Sequence, residues 1–265
     1  MSLLELYVKG WHDSAASVID LLPTLSEADW SAQTDCPGWT VRDVAAHLAH
    51  LENELAGGKS VKPDAGATAV IAAYTQAGVD ARREDTPGQL IAEFADAVAV
   101  RARALADLPD DPDARAPVTP GGVNWSWDSL LRNRAIDVWV HEQDIRRAIN
   151  RPGGLDSTGA QIATTTFRLA MSFVIGKKVR PAPGTTVRWH VTGEIPFNLT
   201  IVMGDDGRAK PLEASGDDPD VLLTMKSEDF TVLAAGRRTA DLLDISVAGD
   251  TSLADAVLAA MPVTF

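Results

Sequence analysis

Arg134, Asp137, His141 and Asp144 follow one another at steps of three, four and three, flanked by the apolar Leu130, Val138 and Ile145. On a helix such steps align side chains in one column, and the apolar flanks aim that column at a protein interior. An unpaired carboxylate there is costly, so something must compensate it. Two arrangements do so. The four groups can satisfy one another as a salt-bridged cluster, or Asp137 and His141, rooted about 5–6 Å apart, can converge on a metal ion. Upstream, His47 interrupts a core-facing stripe of Val44, Leu48, Leu51 and Leu55. Two imidazoles and a carboxylate with an open coordination position form the ligand pattern of catalytic rather than structural zinc. The same set suits nickel, iron or manganese. On spacing alone, the metal centre and the buried polar network stand level.

Other reactive side chains read more plainly. His50 lies nearer the edge of its helical face, as a hydrogen-bonded or partly exposed residue. Cys36 reads as a buried thiol, with no cluster of His or Lys beside it in sequence to lower its pKa. Asp144 suits either orienting His141 or an ion pair with Arg134. His12 and His190 are not read as ligands. Trp30, Trp39, Trp125, Trp127 and Trp139 read as core packing at one bundle end.

The elements that must position these groups are legible from periodicity and punctuation. Helices are expected over 3–22, 40–56, 87–108 and 126–150, with a shorter one over 67–77 and Gly78 just past its end. Thr40 is the expected N-cap of the second, with Asp43 three residues on, and Gly57-Gly58 closes it. Pro23, Pro109 and the run Arg151-Pro152-Gly153-Gly154 stop the others. Four long amphipathic helices predict an antiparallel bundle over residues 1–151. Beyond the Pro–Gly break the pattern turns α+β over residues 152–265. A helix over 157–175 is followed by strands in which Val187, Trp189 and Val191, then Phe197, Leu199, Ile201 and Met203, alternate with polar residues. Gly204-Asp205-Asp206-Gly207 reads as a hairpin turn. A strand over 221–225 and helices over 228–235 and 251–260 complete the half.

Composition narrows the function classes. The chain has 265 residues, 45% of them hydrophobic, and a net charge of -13. No basic stripe exists to displace nucleic-acid counterions. No apolar run approaches the roughly 18 residues of a membrane span, and no signal-peptide pattern opens the chain. One cysteine excludes an internal disulfide and fits a reducing compartment, so cytoplasm is the expected location. Gly-x-Gly-x-x-Gly, Walker and Gly-x-Ser-x-Gly motifs are all missing.

The stretch Cys36-Pro37-Gly38-Trp39-Thr40-Val41-Arg42-Asp43, leading into His47-Leu48-Ala49-His50, resembles the first signature of the mycothiol-dependent maleylpyruvate isomerase family, within the wider DinB-like metal-binding bundles. Arg134, then Asp137-Val138-Trp139-Val140-His141, then Asp144, resembles its second. Gly236-Arg237 and Gly249-Asp250, before Leu253-Ala254-Asp255-Ala256-Val257, resemble its C-terminal domain. The resemblance implies an α+β protein with a DinB-like four-helix bundle followed by a small sterol-carrier-like domain. It places a divalent metal, usually zinc, on His47, Asp137 and His141, with Asp137 standing where glutamate is common. It makes mycothiol the thiol co-substrate, and it puts an anion-binding role on Arg237, with the adjacent Arg238 as the alternative. The expected activity is that of an isomerase or S-transferase on a small electrophilic anion such as maleylpyruvate. A thiol of pKa about 8.5 is only a few per cent thiolate at neutral pH, and a nearby metal favours the anion. The thiolate can then add to a double bond, with rotation and expulsion giving the isomer. The competing expectation is a non-catalytic protein, binding a lipid-like small molecule or acting as a regulator.

Overall fold

The computed structural model describes residues 1–57, 70–212 and 218–264. The first half is a series of helices whose starts are written in side-chain caps. Helix α1 (Leu3–Leu21) opens on a reciprocal capping box between Ser2 and Glu5. A single-turn helix, α2 (Glu27–Trp30), repeats the device with Ser26 and Asp29. Helix α3 (Val41–Leu55) uses Thr40 and Asp43 as the spacing predicts. Helix α4 spans Val70–Asp80. Helix α5 (Pro87–Ala104) pairs a Thr86–Gln89 box with a proline at its first position, where no hydrogen bond is lost. Helix α6 (Trp127–Ala148) is capped by Ser126.

Contacts run from α1 to α6, α6 to α3, α3 to α5 and α5 back to α1, closing a ring of four long helices. Trp11, Val18, Leu48, Leu90, Phe94, Leu131, Val138 and Ile145 fill its centre. Two expected boundaries shift. Helix α5 stops at Ala104 rather than 108, because the Leu105 N–H is shared between the carbonyls of Arg101 and Arg103 and the last turn tightens. Helix α4 runs through Gly78 instead of ending before it, while residues 67–69 of that expectation lie outside the described residues. Gly78 serves packing: a Cβ there would overlap the His50 ring.

The chain divides into two compact units, Met1–Ile162 and Ala163–Phe265, and the division falls inside helix α7 (Thr158–Phe173), past the Pro–Gly break. A π-helical turn, Val174–Val179, continues α7 and is closed by Arg180 in the left-handed conformation. The second unit holds a five-stranded sheet built from β1 (Thr186–Thr192), β2 (Phe197–Met203), β3 (Ala209–Pro211), β4 (Val221–Lys226) and β5 (Ser246–Gly249). Their order is β3-β2-β1-β4-β5. Strand β1 pairs antiparallel with β2 and parallel with β4, and Trp189 stands opposite both Leu199 and Leu223. Val187, Trp189 and Val191 are buried, as their alternation requires. The turn between β2 and β3 closes at Gly207, whose φ of 73° favours glycine. Helices α8 (Ser227–Ala234) and α9 (Thr251–Ala260) both pack against β4. The molecule is thus α+β. Strand β5 was not anticipated: its four residues are all exposed and carry no inward alternation. Among the described residues, no helix is long and apolar enough to cross a membrane.

Candidate metal centre

Helices α3 and α6 meet in the bundle, and their facing sides carry the three residues singled out by spacing. His47 on α3 and His141 on α6 are buried, 3% and 5% exposed, while Asp137, one turn before His141, is partly exposed. His47 Nε2 lies 3.6 Å from Asp137 Oδ2. His141 Nε2 lies 3.7 Å from Asp137 Oδ1. One ligand-type atom from each of the three lies within 4.8 Å of the other two. Tetrahedral zinc with bonds near 2.05 Å separates its ligand atoms by about 3.3 Å, close to the 3.6 and 3.7 Å that separate the Asp137 oxygens from the two imidazoles. The imidazoles meet edge to face with centroids 4.7 Å apart. Trp39 covers both, at 5.1 Å from His47 and 6.2 Å from His141. Its indole is held by Nε1 donating to Gln76 Oε1 at 3.0 Å.

The donor set fits a cation on its own chemistry. Neither ring nitrogen of His47 has a hydrogen-bond partner among the described residues, despite full burial. Unpartnered buried nitrogen is costly unless something else takes the lone pair. Desolvation lowers the His47 pKa to about 4, outweighing the opposing pull of Asp137, so the ring is neutral at physiological pH. Burial works against ionisation of Asp137, but the adjacent Arg134 guanidinium, with His141 and His47, holds its pKa well below the usual carboxylate range. A neutral imidazole and an ionised carboxylate are the protonation states a metal requires.

Arg134 donates from Nη1 to Asp137 Oδ2 at 2.8 Å. Its other edge is clamped by Glu52 on α3, whose Oε1 accepts from Arg134 Nη2 at 2.8 Å and Nε at 3.1 Å. Glu52 Oε2 accepts in turn from Arg101 on α5. Arg101 stacks on Trp11 of α1, its guanidinium carbon 4.6 Å from the ring centroid. This chain of buried charge touches all four long helices and ends on Asp137. Glu52 escaped notice in the sequence although a signal was present: it stands four residues after Leu48 and three before Leu55, on the core face.

His50 is fully buried rather than at an edge, and neither of its nitrogens has a partner among the described residues. Its ring lies 5.2 Å from that of Tyr74. Cys36 is buried as expected, yet lies beside Asp144, far along the sequence, where its Sγ donates to Oδ2 at 3.3 Å. Asp144 does not pair with Arg134; its oxygens face His141, Cys36 and Arg147. His190 contacts Asn198 on β2 at 2.7 Å. Arg237 belongs to the second unit, following α8, where its Nη1 donates to the Ala235 carbonyl at 3.1 Å.

Comparison with known proteins agrees with this architecture. Two solved structures of the mycothiol-dependent maleylpyruvate isomerase, one a histidine-to-alanine mutant, align over 92% of this chain and 92% of theirs. Their identities are 17% and 16%, each with a TM-score of 0.54, a likeness of fold. The apo sterol carrier protein 2 of Yarrowia lipolytica aligns over 42% of this chain and 92% of its own, at 16% identity and a TM-score of 0.29. No curated protein gives a significant sequence match. The family model described as the mycothiol maleylpyruvate isomerase N-terminal domain matches residues 11–146, more than half of the chain and the whole stretch that carries the triad. The chain belongs to that family.

Proposed function

We propose that the helical unit holds one divalent metal, zinc by preference, on His47, Asp137 and His141, and that the protein is a mycothiol-dependent isomerase or S-transferase for a small anionic electrophile such as maleylpyruvate. The observation that carries the reading is the convergence, from two helices, of two buried imidazoles and a carboxylate whose ligand-type atoms lie within 4.8 Å. When bound, the ion supplies a Lewis acid that stabilises a thiolate, or a water-derived base, at neutral pH. The chain's own residues prepare the site. Burial keeps His47 unprotonated. Arg134 fixes one oxygen of Asp137, and Glu52 fixes Arg134. Trp39 lies against both imidazoles and sheds water from that side. Arg237 is assigned to the anionic group of substrate or thiol, on the resemblance of the C-terminal segment.

The test pairs metal quantification with catalysis on the purified full chain. Stoichiometric zinc in the parent protein, lost in His141→Ala, together with mycothiol-dependent turnover of maleylpyruvate, is the expected result. Zinc without isomerisation, but with conjugation of mycothiol to an electrophile, keeps the transferase alone. A protein that takes up no divalent ion removes the enzyme reading in favour of small-molecule binding.

A further inference from the structure

His141 has a carboxylate beside each ring nitrogen, the nearer one at ion-pair distance from Nδ1 though off the line of a formed hydrogen bond. Nε2 faces Asp137, and Nδ1 lies 3.0 Å from Oδ2 of Asp144. Asp144 is completely buried. Its Oδ1 accepts from Arg147 Nη2 at 2.7 Å, and Arg147 Nε donates to Asp35 Oδ2 at 2.6 Å. Cys36 brings its thiol to Oδ2 from the other side, at 3.3 Å. The loop that does this is itself braced: the Cys36 N–H donates to Thr34 Oγ1 at 3.2 Å, and the Cys36 carbonyl accepts from Trp39 N–H at 3.0 Å. One turn of chain therefore places Trp39 over the imidazole faces and Cys36 behind the carboxylate.

Cys36, His141 and Asp144 satisfy the separation of a metal-binding group, with ligand-type atoms within 4.8 Å. Hydrogen bonding uses the carboxylate first. Both of its oxygens already face donors, and a cation there would have to displace Arg147. The three are support for a neighbouring site.

A neutral imidazole carries one N–H, and of the two carboxylates beside this ring Asp144 stands nearer, at 3.0 Å against 3.7 Å, so Nδ1 is the nitrogen that keeps the proton. The other nitrogen is then a lone pair. We propose that Asp144 is the positioning residue of the metal centre: it holds the His141 proton on Nδ1 and fixes the ring plane, so that Nε2 presents its lone pair to the ion shared with His47 and Asp137. The inference rests on the metal reading above and assigns it a specific support. Arg147 and the Cys36 thiol keep Asp144 from turning away. Carboxylates behind metal-bound histidines contribute about 10–100-fold in metal affinity.

Zinc affinity is measured on the metal-stripped full chain by competition with a chromogenic chelator. Asp144→Asn is expected to bind about 10–100-fold more weakly than the parent. Asp35→Asn, which breaks an ion pair to the same Arg147 without touching His141, is expected to bind as the parent does. Nitrogen-15 NMR of histidine-labelled, metal-stripped parent protein reads the tautomer directly, with the His141 signals identified by their loss in His141→Gln. A proton on Nδ1 and a bare Nε2 are expected, and this reading decides the matter even where Asp144→Asn fails to fold. Equal zinc affinity in parent and Asp144→Asn overturns the proposal, as does an equal loss in Asp35→Asn or a proton found on Nε2. A parent chain that binds no zinc removes the metal reading itself, which separates that failure from this one.

Discussion

Asp137 is one methylene shorter than the glutamate its family resemblance leads one to expect. Helices α3 and α6 nonetheless bring both imidazoles within 3.7 Å of its oxygens. Arg134, three residues back on the same helix, takes one oxygen and holds the carboxylate ionised. Asp137→Asn removes the charge while leaving Arg134 its partner Glu52, so the chain is expected to fold and to lose stoichiometric zinc, as read by elemental analysis of the purified variant. Arg237 lies apart from this network in sequence and belongs to the second unit. If it binds the anionic group, Arg237→Ala raises KM for the anionic substrate about tenfold or more, the worth of one charged hydrogen bond. Zinc content stays unchanged, and a KM equal to the parent's withdraws the role.

At the scale of elements, two devices set how α3 sits in the bundle. The first is Glu52, held between Arg134 of α6 and Arg101 of α5. Burial alone would raise its pKa, yet the two guanidiniums bring it below the ordinary value. Glu52→Gln leaves two buried cations facing an amide, and breaking such a cluster from one side costs about 3–5 kcal/mol. Chemical denaturation checks this, and a loss below 1 kcal/mol, the range of an exposed pair, would show that the cluster is solvated. The second device is Gly78 of α4, seated against His50. Gly78→Ala forces that ring or the helix aside, and overpacking of this kind costs about 1–3 kcal/mol. Helix propensity alone would favour alanine by about 1 kcal/mol, so the sign of the measured change separates packing from propensity. Periodicity and caps made the long helices and three of the strands readable, since those signals act over a few residues. Glycine 78 was misread as a stop, because only the ring across from it reveals its purpose. Strand β5 was invisible because an exposed edge carries no apolar alternation.

Across the whole molecule, buried histidine couples stability to pH. Desolvation lowers the pKa of both His47 and His50 to about 4, against about 6.5 in an unfolded chain. Between those values the unfolded state binds protons that the folded state refuses, so stability is full above pH 6.5 and falls as the solution is acidified toward pH 4. For each ring the loss approaches on the order of 3 kcal/mol. Urea melts of the metal-free protein at pH 7.5 and pH 5 should show it, and His50→Leu should flatten the slope. Identical stability at the two pH values would mean that water reaches both rings. Sequence by itself determined what local rules reach: the α+β class, the capped helices, and a polar column at residues 134 to 144 with His47 on an apolar face. Periodicity says which way a side chain points from its own helix and nothing about what it meets. Which groups meet was decided only by tertiary structure, through the packing of α3 against α6, the crossing of Glu52 to two arginines, and the return of the Cys36 loop to a carboxylate 108 residues further on. Those pairings join residues remote in the chain, and only burial of the shared core brings them within reach of one another.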